Sequence, residues 1–157
     1  RRVAVLTSYT TGVTLKIDNS DPEFSSSGHT QTNMSDVNMV NGGGAVLSTF
    51  FRWSTADSFY LYALNGLPEQ PGLYDIKMHT KQSVTTCNAI SYQLLDTNQN
   101  IVETFLVDHS SITGVGVINV GSAVLKKGYA IRIDTETSVC SGLYSSAWFD
   151  ELEVNSF

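Results

Sequence analysis

Apolar and polar residues alternate along most of the chain. Val13, Leu15 and Ile17 share one parity of VTLKI. Tyr74, Ile76 and Met78 oppose Asp75, Lys77 and His79, and Tyr129, Ile131 and Ile133 oppose Ala130, Arg132 and Asp134. In SFYLYAL, Phe59 and Leu61 oppose Tyr60 and Tyr62. A period of two sends successive side chains to opposite faces of a pleat, so each segment is predicted as a half-buried antiparallel strand. Further strands are predicted at AVLSTFFRW, AISYQLLD, IVETFLVD, GVGVINVG and AWFDELEV. Helical periodicity is almost absent.

Turn chemistry separates these runs: NGGG at Asn41 to Gly44, LPEQPG at Leu67 to Gly72, DTNQN at Asp96 to Asn100 and KKG at Lys126 to Gly128. DTNQN joins two alternating runs and reads as a hairpin. Short strands joined by such turns, with no helical crossovers, predict an all-β antiparallel sandwich or jelly roll. The 157 residues fit one domain, 1–157. Ser25 to Gly44 is the one long stretch of weak pattern, and a loop of that length is a candidate for function.

Composition narrows the partners. Only 15% of residues are charged and the net charge is −6, with no Lys/Arg cluster able to neutralise a run of phosphates, which excludes nucleic acid. No apolar run approaches the length of a membrane span. A surface rich in Ser, Thr, Asn and Gly is that of an extracellular or cell-surface β-protein. The opening RRVAVLTS, in mid-strand and without Met, reads as part of a module excised from a longer protein. Cys87 and Cys140 are the whole cysteine set, each just beyond a predicted strand. A disulfide between them would close a loop of more than 50 residues and stabilise by roughly 3–4 kcal/mol. Two unpaired thiols are the alternative.

Enzyme signatures are missing: no H-E-x-x-H, G-x-S-x-G, P-loop or dinucleotide fingerprint occurs. The glycines of GVGVINVG sit inside an alternating strand and mark a bulge or a close backbone approach. His29, His79 and His109 lie far apart and are expected in surface or hydrogen-bonding roles. Glu151 and Glu153 alternate with Leu152 and Val154 as a solvent face. Asp150 shares the register of Trp148, Leu152 and Val154, and an acid there needs a partner or a cation. Asp18 and Asp21, with Asp150, are therefore candidate ligands of a structural calcium. Alternatively, Asp18 and Asp21 cap a turn. Sugar-binding surfaces set Trp and Tyr faces against pyranose rings, with polar side chains for the hydroxyls. Trp53, Tyr60 and Tyr62 lie on neighbouring predicted strands and fit that chemistry, or simply face a second layer.

IDNSDPEFSSSG, FRWS…LNGLPEQPGLYDIKM and VLKKGYAIRID…AWFDELEV together resemble the golvesin and xanthan-lyase carbohydrate-binding-like domains, from about Leu15 to Val154. The resemblance implies a galactose-binding-like β-sandwich appended to polysaccharide-degrading or secreted surface proteins, without catalysis of its own. Asp18, Asn19, Ser20, Asp21, Phe24, Gly28, Leu67, Pro68, Gly72, Tyr74 and Asp150 correspond to motif positions, most of them architectural. HTQTNMSDVNMVNGGG departs from the aromatic-rich pattern, and the two cysteines lie outside it.

The expected function is a non-catalytic carbohydrate-binding module for a polysaccharide or glycan. Its candidate contacts are Trp53, Tyr60, Tyr62, Asp75, His79 and Tyr144, the last in a loop stiffened by Cys140. The alternative is a structural or adhesive module that packs on neighbouring domains of its parent protein. A binding module is expected to show at least one solvent-facing Trp or Tyr beside polar side chains; burial of Trp53 and both tyrosines would favour the structural role. A small hydrolase would need two carboxylates or a Ser-His pair in one cleft.

Overall fold

The computed structural model describes residues 12–18, 21–27, 31–35, 45–51, 59–81, 87–110, 115–140, 145–149 and 151–157. Among these residues every regular element is a strand and every pairing is antiparallel. The strands are β1 (Thr14–Asp18), β2 (Phe24–Ser27), β3 (Gln31–Ser35), β4 (Ala45–Phe51), β5 (Phe59–Ala63) and β6 (Gly72–Lys81). They continue with β7 (Cys87–Leu95), β8 (Ile101–Val107), β9 (Val115–Leu125), β10 (Ala130–Cys140), β11 (Ser145–Phe149) and β12 (Glu151–Ser156). One sheet runs β1-β12-β6-β9, a second β2-β5-β10-β7-β8 and a smaller third β11-β4-β3. The chain forms the all-β sandwich that its alternation predicts.

The two larger sheets bury one apolar cluster between them. Ile17, Ile76, Met78, Leu152 and Val154 of the first meet Tyr62, Ile90, Tyr92, Ile131 and Ile133 of the second. The predicted parity holds for β6 and β10. In β5 the core takes the tyrosines: Tyr60 and Tyr62 are 0% exposed, while Phe59 and Leu61 are half-buried on the outer face. The cause is register. Tyr62 stands opposite Ile131 and Tyr60 opposite Ile133, and residues directly opposed across a ladder share a face. Phe24 closes this layer, its ring centroid 5.0 Å from that of Tyr62 and 5.4 Å from that of Tyr60. As ligand contacts, Tyr60 and Tyr62 are thus corrected to core residues.

The C-terminal run departs from expectation as well. AWFDELEV is two strands: β11 pairs with β4, whereas β12 lies between β1 and β6. Phe149 is buried before the break, Leu152 and Val154 after it, so the inward parity flips as the chain changes sheet. Glu151 is buried instead of solvent-facing. Two parts of the weakly patterned Ser25–Gly44 stretch are strands, β2 and β3, each at a sheet edge. An edge strand is held by ladder hydrogen bonds on one side and needs little apolar alternation, which explains their polar sequences FSSS and QTNMS. DTNQN forms its hairpin, with Asp96 Oδ1 accepting from the backbone N–H groups of Asn98 and Asn100.

The glycine reading of GVGVINVG holds at Gly121. The β6–β9 register slips between Ile76 and Lys77, leaving Val120 as the extra, bulged residue beside Gly121. The Phe105 ring of β8 lies directly on Gly121, where an added Cβ would meet its Cδ1 at 2.5 Å. That approach joins β8 and β9, the edges of the two sheets, and closes one side of the sandwich. Gly121→Ala is expected to destabilise by about 1–3 kcal/mol in urea unfolding. In a Phe105→Leu background the same change should cost markedly less, and equal losses in both backgrounds would refute the contact.

Candidate ligand-binding groove

The structure scatters the expected contacts. Asp75 accepts a hydrogen bond from Ser122 Oγ at 2.6 Å on the outer face of the four-stranded sheet. His79 is buried on the same face, its Nε2 3.6 Å from Glu153 Oε2. Glu153 also faces Lys16 at 3.6 Å. His79 is therefore a buried residue and not a surface contact. Asp18 and Asp21 form the turn of the alternative reading: Asp21 Oδ2 accepts from Asp18 N at 2.7 Å, and Asp21 N donates to Asp18 O. Among the described residues no group of three or more His, Cys, Asp or Glu is placed to hold a metal. Trp53, Tyr144 and Asp150 lie outside the described residues. Cys140 stands opposite Cys87 in the β7–β10 register.

A different site lies on the outer face of the five-stranded sheet. There a groove of about 260 Å³ runs over β5 and β10, floored by Phe59, Leu61, Ala63 and Ala130. Arg132 projects from near the start of β10, opposite Leu61 on one side and Gln93 on the other. Its Nε donates to Gln93 Oε1 at 2.8 Å. Tyr129, half-buried, stands at the end of the groove with Asn65, Asp96, Thr97 and Gln99. Three loops build that end and are locked together. Lys127 N donates to Pro68 O at 2.9 Å and Leu64 N to Tyr129 O at 2.8 Å. Gly128, at φ 90°, lets the chain turn so close to Thr97 that a Cβ would lie 2.8 Å from its Cγ2.

Sequence reading missed this face because it put Tyr129 in the core parity and weighed Tyr60 and Tyr62 in place of Phe59. One signal was visible. Arg132 alternates with Ile131 and Ile133, and Gln93 with Tyr92 and Leu94, so both fall on the outer parity.

No family model matches the chain, and no curated protein matches its sequence. Solved structures do match. A family 35 carbohydrate binding module from Clostridium thermocellum superposes with a TM-score of 0.59 at 14% identity, over 93% of this chain and 100% of that one. The fold is that of a carbohydrate-binding module. A Paenibacillus xanthan lyase is similar with a TM-score of 0.63 and 16% identity over 92% of this chain. A Podospora anserina GH26-CBM35 β-(1,4)-mannanase gives 0.60 and 14% over 92%. The chain spans 13% of the lyase and 28% of the mannanase. Three of the motif residues are architectural: Phe24 anchors the first turn on Tyr60 and Tyr62, Leu67 is buried, and Gly72 leaves room for the Tyr74 ring.

The module's interior titratable groups serve structure. Burial holds the Glu151 carboxyl above its ordinary value, with Asp18 and Glu153 adding to the effect and His79 and Lys16 opposing it. His109, in the polar DHSS string, is buried and takes the hydrogen-bonding role of the two expected. Its ring stacks on Tyr92 with centroids 5.8 Å apart, and its Nε2 shares a 2.7 Å hydrogen bond with the Tyr92 hydroxyl. Burial pushes the His109 pKa down to about 3, against a small upward pull from Asp108. The neutral ring is therefore the folded form, while the unfolded chain takes up a proton near pH 6.5. His109 thus contributes stability that is complete above about pH 6.5 and is lost as the pH falls towards 3. Between those limits, unfolding free energy should fall more steeply in the wild type than in His109→Gln, the difference approaching about 1.4 kcal/mol per pH unit. Urea titrations at pH 7, 5 and 4 measure it, and parallel slopes would show that His109 protonates freely in the fold.

Proposed function

We propose that the protein is a non-catalytic glycan-binding module whose ligand lies in the groove over β5 and β10. The observation that carries this reading is the groove's composition: an apolar floor with two half-buried aromatic rings, Phe59 and Tyr129, inside a polar rim. Pyranose rings present apolar C–H faces that pack on such rings, while Arg132, Asn65, Thr97 and Gln99 offer hydrogen bonds to hydroxyls. Tyr129 meets the requirement for an accessible aromatic that Tyr60 and Tyr62 do not. The full-length likeness to a free-standing family 35 carbohydrate binding module supports the same reading.

A shallow groove buries little of a sugar, so binding is weak and is best read by affinity electrophoresis in gels containing single polysaccharides. Phe59→Ala and Tyr129→Ala are each expected to reduce retardation about tenfold, with melting temperatures near wild type. Undiminished retardation in the double variant would place the ligand elsewhere.

An exposed apolar strip along β8 and β9, comprising Ile101, Val102, Leu106, Val117 and Val124, favours a second role in packing against neighbouring domains of a parent protein. Retardation on no polysaccharide by a folded protein would favour that role over glycan binding.

The proposal extends to a Cys87–Cys140 disulfide and to secretion. Directly opposed residues on antiparallel strands have Cα atoms about 4.5–5.5 Å apart, inside the range a disulfide spans. The bond requires an oxidising compartment. A non-reducing peptide map should join the two cysteine peptides, and Cys140→Ser should cost roughly 3–4 kcal/mol. Two separately alkylated thiols after non-reducing denaturation would dismiss both the bond and this argument for secretion.

A further inference from the structure

β8 and β9 are the edge strands on one side of the sandwich. Among the described residues each pairs on one side only, β8 with β7 and β9 with β6. Edge strands are commonly guarded against further pairing by charges, by proline or by shortness. β9 lacks all three: its eleven residues, VGVINVGSAVL, include no charge and no proline. β8, IVETFLV, carries a single charge, Glu103. The exposed apolar strip lies on these same two strands, with Ile101, Val102 and Leu106 on β8 and Val117 and Val124 on β9.

Both strands are complementary to a reversed copy of themselves. The bulge at Val120 shifts the parity of β9 once. Val117 and Asn119 before it, and Ser122 and Val124 after it, therefore share the outer face, opposite His79, Lys77, Asp75 and Leu73. All four are exposed. Set antiparallel to a second copy about a two-fold axis between Val120 and Gly121, β9 places Val117 against Val124 and Asn119 against Ser122. Apolar meets apolar, amide meets hydroxyl, and no charge is covered. β8 matches its own copy about Thr104, which then opposes itself, while exposed Val102 comes opposite exposed Leu106. Glu103 comes opposite Phe105, so the two glutamates do not face each other. One axis serves both strands. The Phe105 ring, beside the centre of β8, lies directly on Gly121, beside the centre of β9, so a line perpendicular to the sheets passes through both centres.

We infer that two copies of this chain join edge to edge through β9 and β8, each sheet continuing into its counterpart across one two-fold axis. The net charge of −6 repels a second copy at long range, which makes a nearly uncharged edge the favourable place to meet. An axis perpendicular to the sheets also turns the two β5–β10 grooves to the same side, giving a polymer two points of attachment. That consequence rests on the groove being the glycan site; the dimer does not.

Sedimentation velocity of the whole chain, over a wide range of concentration and without glycan, is expected to show reversible exchange between monomer and dimer. A monomer at every concentration would overturn the inference and leave the strip to a neighbouring domain. Val117→Glu and Val124→Lys each set a charge against an apolar partner and should weaken the dimer about tenfold or more. Combined in one chain, they bring opposite charges face to face across the joint and should recover most of that loss. The two positions lie seven residues apart on β9, roughly 20 Å, so they do not meet within one copy, and altered packing alone does not produce the recovery. Thr104→Cys, on the axis, should cross-link to its own copy under mild oxidation, whereas Ser122→Cys, which opposes Asn119, should not. The cross-link decides the matter if the charged variants fail to fold. A dimer that both charged variants leave unchanged, or that cross-links equally at the two positions, forms elsewhere and overturns the inference.

Discussion

The outer face of the five-stranded sheet depends on the register of β10 between β5 and β7. Ile131 and Ile133 must point inward, because they stand opposite Tyr62 and Tyr60 on one side and Leu94 and Tyr92 on the other. With the strict alternation of a pleat, that burial compels Ala130 and Arg132 outward. The neighbours follow: Ala63 and Leu61 on β5, Leu95 and Gln93 on β7. A slip of one residue would send an arginine into the tyrosine layer, at a cost no hydrogen bond there could offset. The core thus fixes both where the groove's floor lies and where its cation stands.

The loops finish what the register begins. The end of the groove is built from three turns that lie far apart in sequence, two of them tied by backbone hydrogen bonds between Lys127 and Pro68 and between Leu64 and Tyr129. Bonds of this kind hold the rim in one arrangement before any ligand arrives. A site assembled in advance loses less ordering entropy on binding, which matters most for a shallow groove with little area to bury.

Much of this architecture was legible in the sequence. The alternation on β6 and β10, the Asp96 hairpin, the turn at Asp18 to Asp21 and the special role of a glycine in GVGVINVG were each readable from local chemistry. What was not readable depended on pairing. SFYLYAL has apolar or aromatic residues at both parities, so only its partner strand decides which face turns inward. AWFDELEV contains no proline or glycine to mark a change of sheet, and the flip between Phe149 and Leu152 follows from packing on two different partners. His109 sits in a polar string, DHSS, yet its ring belongs to the Tyr92 and Phe149 aromatic layer. The groove was hidden for the same reason. Its residues come from β5, β10 and three loops, and no segment of the chain carries enough of them to form a motif.

The two outer faces of the sandwich answer their charges differently. On the four-stranded sheet, Lys16 and His79 both lie against Glu153, and Asp75 takes the Ser122 hydroxyl. The contacts to Glu153 are long, and both buried ring nitrogens of His79 lack a hydrogen-bond partner among the described residues. On the five-stranded sheet, the Arg132 guanidinium donates through Nε to Gln93 Oε1 beside an apolar floor.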